Sequence, residues 1–223
     1  MNRAQATPER LVAASRRMAG LYAVTPDEPD TRILADKVRR ALAGGARVVQ
    51  FRNKSASQAL RREQAAALFA LCREAGLPFI VNDDLDLALA IDADGVHLGH
   101  DDPDIARARV TLGPGKLLGA SCYDRIELAL TACEQGADYV AFGSAFPSAT
   151  KPGAAHAPLS LFREARARID LPIVAIGGIT PENARSLIEV GADAVAVISA
   201  LFDAADIEAA ARSFDRLFEK KSP

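Results

Sequence analysis

Tryptophan is absent from the 223-residue chain, and aromatic residues of all kinds make up only 5% of it. Proteins that hold single-stranded nucleic acid stack bases on aromatic side chains, so this scarcity argues against that class. A basic surplus is missing too: 27 Lys and Arg stand against 29 Asp and Glu, a formal charge of -2. Without excess cations to neutralise phosphates, a mainly electrostatic nucleic-acid or membrane partner is disfavoured. Cysteine is sparse and odd in number, at positions 72, 122 and 133, with no CxxC pair. No disulfide framework is expected, and the compartment is read as a reducing cytoplasm. No apolar run approaches the roughly 18 residues of a membrane span. The segment before Gly20 carries Arg3, Arg10, Arg16 and Arg17 and lacks the apolar stretch of a secretory signal.

What is present is ordinary for a globular protein: 49% hydrophobic and 25% charged residues. Disorder, collagen and coiled coil are excluded on that balance. The core has to be built from Ala, Val, Leu and Ile. Short apolar, β-branched runs recur at Leu21–Val24, Val48–Phe51, Phe79–Val81, Gly95–Leu98, Leu117–Ala120, Tyr139–Phe142, Ile173–Ile176 and Ala194–Ile198. Most are apolar at nearly every position, as strands covered on both faces must be.

Helix-like segments separate these runs, roughly at Thr31–Ala43, Ser57–Ala75, Asp84–Ala90, Asp104–Leu112, Asp124–Gln135, Pro158–Arg168, Pro181–Val190 and Asp206–Phe218. Ser57 and Asp124 are expected N-caps, and Thr180-Pro181-Glu182 reads as a cap, a first-turn proline and an acid at the positive dipole end. Gly44, Gly76, Gly136 and Gly191 stand where helices should stop. A Gly-Ala-Asp echo at 136–138 and 191–193, with looser copies at 45–47 and 92–94, precedes strands each time.

Alternating strand and helix, eight times over, predict an α/β fold, a (β/α)8 TIM barrel spanning 20–218, with residues 1–19 as an extra N-terminal helix and the whole chain one domain. The competing open doubly wound sheet would carry a Gly-rich fingerprint after its first strand, and no GxGxxG is found there.

Barrel chemistry collects at the C-terminal ends of strands. After the second strand, alternation puts Gln50, Arg52 and Lys54 on one side and Val49, Phe51 and Asn53 on the other. Two cations on one face suit a polyanion such as a diphosphate, against the plainer reading of solvated loop residues. After the third and fourth strands come Asn82-Asp83-Asp84 and His97-Leu98-Gly99-His100-Asp101-Asp102. Carboxylates at adjacent strand ends fit Mg2+, which takes carboxylates plus phosphate oxygens; each is equally placed to cap a helix. His97 and His100 have zinc-like spacing but no evident third ligand, so His97 is read as packed or hydrogen-bonded.

Ser121 follows the fifth strand without a GxSxG elbow or a triad, which makes it a hydroxyl donor to an anion and not a nucleophile. Cys122 has no predicted His partner. The loop Gly143–Ala157 carries Ser148, Thr150 and Lys151 between Pro and Gly residues, the composition of a phosphate-touching lid or of a plain surface loop. Gly177, Gly178 and Ser199 follow strands seven and eight, where barrels of this kind often bind phosphate on backbone amides. The mouth thus offers two anion sites, as for two phosphorylated substrates.

The ordered set Gln50-Phe51-Arg52-Asn53-Lys54, Asn82-Asp83, Gly95-Val96-His97-Leu98-Gly99, Phe146 to Lys151, Ala175-Ile176-Gly177-Gly178-Ile179 and Val197-Ile198-Ser199-Ala200 resembles the thiamine phosphate synthase family, from about Leu21 to Leu201. The resemblance implies a cytoplasmic transferase that couples hydroxymethylpyrimidine diphosphate to the phosphate ester of hydroxyethylthiazole, releasing diphosphate. It also implies roles. Gln50, Arg52, Lys54, Asn82 and Lys151 would hold the pyrimidine diphosphate, and Asp83 and Asp102 would bind Mg2+. Ser121 would contact the leaving diphosphate, and Ser148 and Thr150 the thiazole. The thiazole phosphate would rest on Gly177, Gly178, Ile198 and Ser199. Its partners would be these small molecules, with no nucleic acid or membrane and a homo-oligomer left open. This chain departs from the family's frequent residues at His100, Tyr123 and Ser148, where Gln, His and Thr are common. A thiazole tautomerase-like protein, another phosphate-binding barrel isomerase and a non-catalytic barrel are the alternatives.

Overall fold

The computed structural model describes residues 9, 14, 17–99, 104–147 and 156–219. Eight strands form a closed parallel barrel: β1 (Gly20–Val24), β2 (Ala46–Phe51), β3 (Phe79–Asn82), β4 (Gly95–Leu98), β5 (Leu117–Tyr123), β6 (Tyr139–Phe142), β7 (Ile173–Ile176) and β8 (Ala194–Val197). Neighbours in sequence are neighbours in the sheet, and β8 closes onto β1 through pairs such as Leu21 with Val195. Helices α1 (Thr31–Ala43), α2 (Gln58–Glu74), α3 (Leu85–Ala90), α4 (Ile105–Leu112), α5 (Ile126–Glu134), α6 (Leu159–Arg168) and α7 (Pro181–Glu189) fill the crossovers. A four-residue helix, α8 (Ser199–Phe202), and α9 (Ile207–Asp215) follow β8.

Strand alternation divides the apolar residues into two cores. Leu21, Val49, Phe51, Phe79, Val81, Leu118, Val140, Phe142, Ile173 and Val195 face outward and pack with helix residues such as Leu34, Val38, Leu68, Phe162, Leu187 and Phe214. Tyr22, Val24, Val48, Ile80, Leu117, Tyr139, Ala141, Val174, Ala194 and Ala196 fill the barrel itself, joined by Ala14 and Met18 from the segment before β1. Met18 donates to the Ala14 carbonyl at 2.9 Å, a helical bond that seats both residues under the strand N-termini. The bottom of the barrel is therefore stoppered and the top is left for chemistry.

The Gly-Ala-Asp echo acquires a mechanical meaning. Asp138, ahead of β6, accepts the Leu118 amide of β5 at 2.8 Å and pairs with Arg109. Asp193, ahead of β8, accepts the Ile173 amide of β7 at 2.7 Å and pairs with Arg166 at 2.5 Å. Asp94, ahead of β4, accepts the Phe79 amide of β3 at 3.0 Å and pairs with Arg17 at 2.7 Å. Each carboxylate ties the start of one strand to the turn before the next, always at the bottom of the barrel. The preceding glycines end helices in the left-handed region, with φ of 94° at Gly136 and 107° at Gly191.

Two expectations need correction. Asp124 does not cap α5: that position falls to Arg125, with no side-chain cap bond, while β5 runs on to Tyr123. Ser121 accordingly lies within β5 and not beyond it. Ser57 and Thr180 take the N-cap positions expected of them, Ser57 accepting from the Leu60 amide, and Asn183 adds a capping box with Thr180. Helix α8 was not expected, because a four-residue turn has no periodicity to read.

Candidate active site

The upper rim is set by where each strand ends. Thr25, fully buried after β1, accepts the Arg52 amide at 2.8 Å and donates to the Arg52 carbonyl at 2.9 Å. Asp27 accepts the Lys54 amide at 3.0 Å and approaches the Arg52 guanidinium at 3.4 Å. Asn53 turns the other way, as alternation predicts. It is buried, donates to Gln64 Oε1 and the Glu28 carbonyl, and takes the Ala56 amide at 3.1 Å. This fastening leaves Arg52 and Lys54 as the cations of the β2 end.

Asp83 and Asp84 part company in the next loop. Asp84 accepts the Leu87 amide at 2.9 Å and is the N-cap of α3. Asp83 has φ of 63° and donates its amide to the His97 carbonyl at 2.8 Å. Its carboxylate stands 3.6 Å from Lys54 Nζ. Left-handed backbone is tolerable for Asp but uncommon, and such residues gather where a side chain has to be aimed. Arg52, Lys54, Asn82 and Asp83 line a cavity of about 590 Å³, whose wall also includes Arg61 and Arg107. Among the described residues, Arg61 Nε is the one buried side-chain nitrogen or oxygen with no hydrogen-bond partner. Neither arginine stands out in the sequence, because a helical arginine reads as part of a solvated face. A carboxylate in an oxygen-rich cavity, with cations ready for phosphate oxygens, is a fitting donor set for a hard divalent ion that completes its shell with substrate and water. Among the described residues no cluster of three or more His, Cys, Asp or Glu could hold a metal by protein ligands alone.

Ser121 Oγ lies 2.8 Å from His97 Nε2, and His97 Nδ1 lies 3.1 Å from the Tyr139 hydroxyl. That hydroxyl is 2.9 Å from the Tyr22 hydroxyl, which accepts from Gln50 Nε2 at 2.8 Å. A polar chain thus crosses the barrel just below the mouth, from β2 to β5. The expected hydrogen-bonding role of His97 is met. Gly119 makes the room: a Cβ there would lie 2.1 Å from the Tyr139 ring and 2.5 Å from His97 Nδ1. Burial pushes the Tyr22 and Tyr139 phenols well above their ordinary range, so both stay protonated. Cys122 is buried beside Ser121 and its thiol is pushed up to about 12, mainly by burial, which removes it as a nucleophile. Tyr123 adopts φ of 52° at a register shift between β5 and β6.

On the far side, Gly177 and Gly178 have φ of 99° and 64°. A Cβ on Gly177 would meet Ser144 Oγ at 2.3 Å, and one on Gly178 would meet the Pro147 carbonyl at 2.4 Å. The β6 loop docks on this turn, with the Phe146 amide donating to the Gly177 carbonyl at 3.0 Å. Ile198 and Ser199 enter α8, whose Phe202 amide closes on the Ile198 carbonyl at 2.9 Å. Gln50, Arg52, Lys54, Asn82, Asp83, Ser121, Gly177, Gly178, Ile198 and Ser199 thus share the C-terminal end of the barrel. His100, Asp102, Ser148, Thr150 and Lys151 lie outside the described residues.

Comparison with known proteins identifies the family. A family model described as thiamine monophosphate synthase matches residues 21–201. The thiamine-phosphate synthase of Aromatoleum aromaticum is 54% identical over 203 residues, covering 91% of this chain and 98% of the relative. That of Methylobacillus flagellatus is 59% identical over 199 residues, covering 89% and 95%. Among solved structures, thiamine phosphate pyrophosphorylase from Pyrococcus furiosus superposes with a TM-score of 0.81 at 39% identity, covering 91% of this chain and 96% of that one.

Proposed function

The chain belongs to the thiamine monophosphate synthase family, and from that membership we propose how its rim performs the coupling reaction. It is a transferase of thiamine biosynthesis. The observation that carries the site assignment is the meeting of Arg52, Lys54 and Asp83 in one cavity at adjacent strand ends.

On this reading Arg52 and Lys54, with Lys151, hold the diphosphate of hydroxymethylpyrimidine diphosphate. Gln50 and Asn82 orient the pyrimidine. Asp83 would hold Mg2+, with Asp102 as the second carboxylate implied by the resemblance. Bound there, Mg2+ supplies positive charge against the diphosphate oxygens. Ser148 and Thr150 contact the thiazole, as the resemblance implies, and its phosphate rests on Gly177, Gly178, Ile198 and Ser199.

The bond from the pyrimidine methylene to diphosphate oxygen breaks with both electrons leaving on the diphosphate. The ring amino group delocalises the resulting cation. The thiazole nitrogen then gives its lone pair to that carbon, making thiamine phosphate. Arg52, Lys54 and Ser121 act by stabilising charge on the leaving group, the term that usually dominates such catalysis. The fixed rim holds nitrogen and carbon in line. No protein nucleophile is needed, in keeping with a Cys122 thiol held protonated. The isomerase alternatives draw no support from the relatives.

Residues 20–218 are assigned to one barrel domain and 1–19 to an N-terminal extension. The partners are two small molecules. Among the described residues no helix is long and apolar enough to cross a membrane. Three free thiols suit the reducing cytoplasm to which we assign the protein.

The adjacent aspartates supply the test. Asp83→Ala should cut turnover by about 100-fold or more, the scale of losing a main electrostatic group. Asp84→Ala should lose only its cap, about 1 kcal/mol of stability, and keep most of its turnover. Steady-state assays beside thermal melts measure both. Full activity in Asp83→Ala would remove the metal assignment.

A further inference from the structure

The hydrogen-bonded chain inside the barrel has a direction, and the direction reaches the mouth. We infer that Tyr22, Tyr139 and His97 are positioning residues that fix Ser121 as an obligate hydrogen-bond donor toward the leaving diphosphate.

The polarity starts at Gln50. Its amide nitrogen can only donate, and it donates to the Tyr22 hydroxyl at 2.8 Å. The Tyr22 proton then needs an acceptor in a fully buried place, and the Tyr139 hydroxyl at 2.9 Å is the partner recorded for it. Tyr139, accepting from Tyr22, passes its own proton toward His97 Nδ1 at 3.1 Å. A neutral imidazole that accepts at Nδ1 carries its proton at Nε2, so Nε2–H donates to Ser121 Oγ at 2.8 Å. Ser121, already accepting from within, is left with its proton for the mouth, where it is half-buried on β5. The reverse order would leave the Tyr22 proton without an acceptor, a costly state in a closed interior.

Two features hold the chain in place. The His97 and Tyr139 rings stack with centroids 5.4 Å apart, and Tyr22 meets Tyr139 edge-on at 6.1 Å. Gly119 keeps open the space these rings occupy. Burial keeps both phenols protonated, so they can relay direction without ionising. The benefit is preorganisation: a hydroxyl already aimed at the developing charge need not reorient as the bond breaks.

The inference rests on the reading that Ser121 touches the diphosphate, and the experiment separates the two. In protein labelled with 15N-histidine, long-range proton–nitrogen correlation reads the tautomer of His97, assigned by its loss in His97→Gln. The wild type should carry the proton on Nε2, and Tyr139→Phe should admit the Nδ1–H form. In turnover, Ser121→Ala should lower kcat on the order of 10- to 100-fold, with a smaller change in KM for the pyrimidine diphosphate. His97→Leu should show a comparable loss, and His97→Gln, which retains an N–H in that place, should recover most of it. Ser121→Ala combined with His97→Leu should be no slower than Ser121→Ala alone, because the two act through one hydrogen bond. If His97→Leu does not fold by circular dichroism, Tyr139→Phe, which deletes one oxygen, replaces it in the cycle.

A proton on Nδ1 in the wild type, or losses that multiply in the double variant, would overturn the relay while leaving the Ser121 contact standing. Full activity in Ser121→Ala would remove the contact and the inference with it, whatever the tautomer.

Discussion

The three Asp clasps at the bottom of the barrel share one geometry but differ in burial, which makes them a controlled experiment on electrostatics. Asp138 and Arg109 are 3% and 8% exposed, whereas Asp193 and Arg166 are 37% and 36% exposed. Asp138→Ala strands the Leu118 amide and takes a buried carboxylate away from the Arg109 guanidinium, which also donates to the Gly136, Gly113 and Lys116 carbonyls. Breaking a buried pair from one side costs about 3–5 kcal/mol. Asp193→Ala loses the equivalent amide bond, worth about 1 kcal/mol, and a solvent-screened ion pair worth about 0–1 kcal/mol. For a chain of this size each kcal/mol moves the melting temperature by about 2–4 °C. The expected drops are therefore about 6–20 °C for Asp138→Ala and about 2–8 °C for Asp193→Ala. Urea denaturation with two independent probes gives the free energies. Raising salt to about 1 M should shrink the Asp193 effect and leave the Asp138 effect nearly intact. Both variants, while folded, should keep the turnover of the distant rim. Equal losses at the two sites, or a loss below about 1 kcal/mol at Asp138, would mean that burial does not set the strength of these clasps.

Two further outcomes follow from the same structure. Gly177→Ala forces a side chain into a left-handed position against Ser144 Oγ; it should cost about 1–3 kcal/mol and raise KM for the thiazole phosphate more than for the pyrimidine diphosphate in steady-state assays. Burial pushes the Cys72 and Cys122 thiols up to about 12 and Cys133 to about 11. The unfolded chain releases these protons at lower pH than the folded one, so this contribution to stability is complete below about pH 8.5 and is lost as pH rises through 11 and 12. Each thiol adds up to about 1.4 kcal/mol per pH unit to that alkaline slope, and Cys72→Ala should flatten it in denaturation curves taken at successive pH values; an unchanged slope would count against the assignment.

The barrel was legible because its strands are short apolar runs without alternation, as sheets covered on both faces give, and because helix-like segments separate them eight times over. The Gly-Ala-Asp echo was visible as a pattern, but its meaning was not, since Arg109, Arg166 and Arg17 reach their aspartates from elsewhere in the chain. Residue chemistry alone did not separate Asp83 from Asp84, and the resemblance singled out Asp83; the structure gives Asp83 a left-handed backbone and makes Asp84 the helix cap. Gln50, Arg52 and Lys54 followed from alternation, which is local and short. Tyr22 and Tyr139 escaped notice because aromatic residues in apolar runs pass for core, and their hydroxyls meet across 117 positions of sequence. Arg61 and Arg107 escaped for the complementary reason, being helical cations with no local sign of the cavity they line.

On the proposed function this rim ionises a pyrimidine diphosphate and captures the cation with a thiazole nitrogen. The direct measurement mixes the purified protein with both phosphorylated precursors and Mg2+ and follows diphosphate and thiamine phosphate together. Both products should form in equal amounts, with formation dependent on each precursor and sharply reduced in Asp83→Ala. Folded protein that releases no diphosphate in the presence of both precursors would contradict that function.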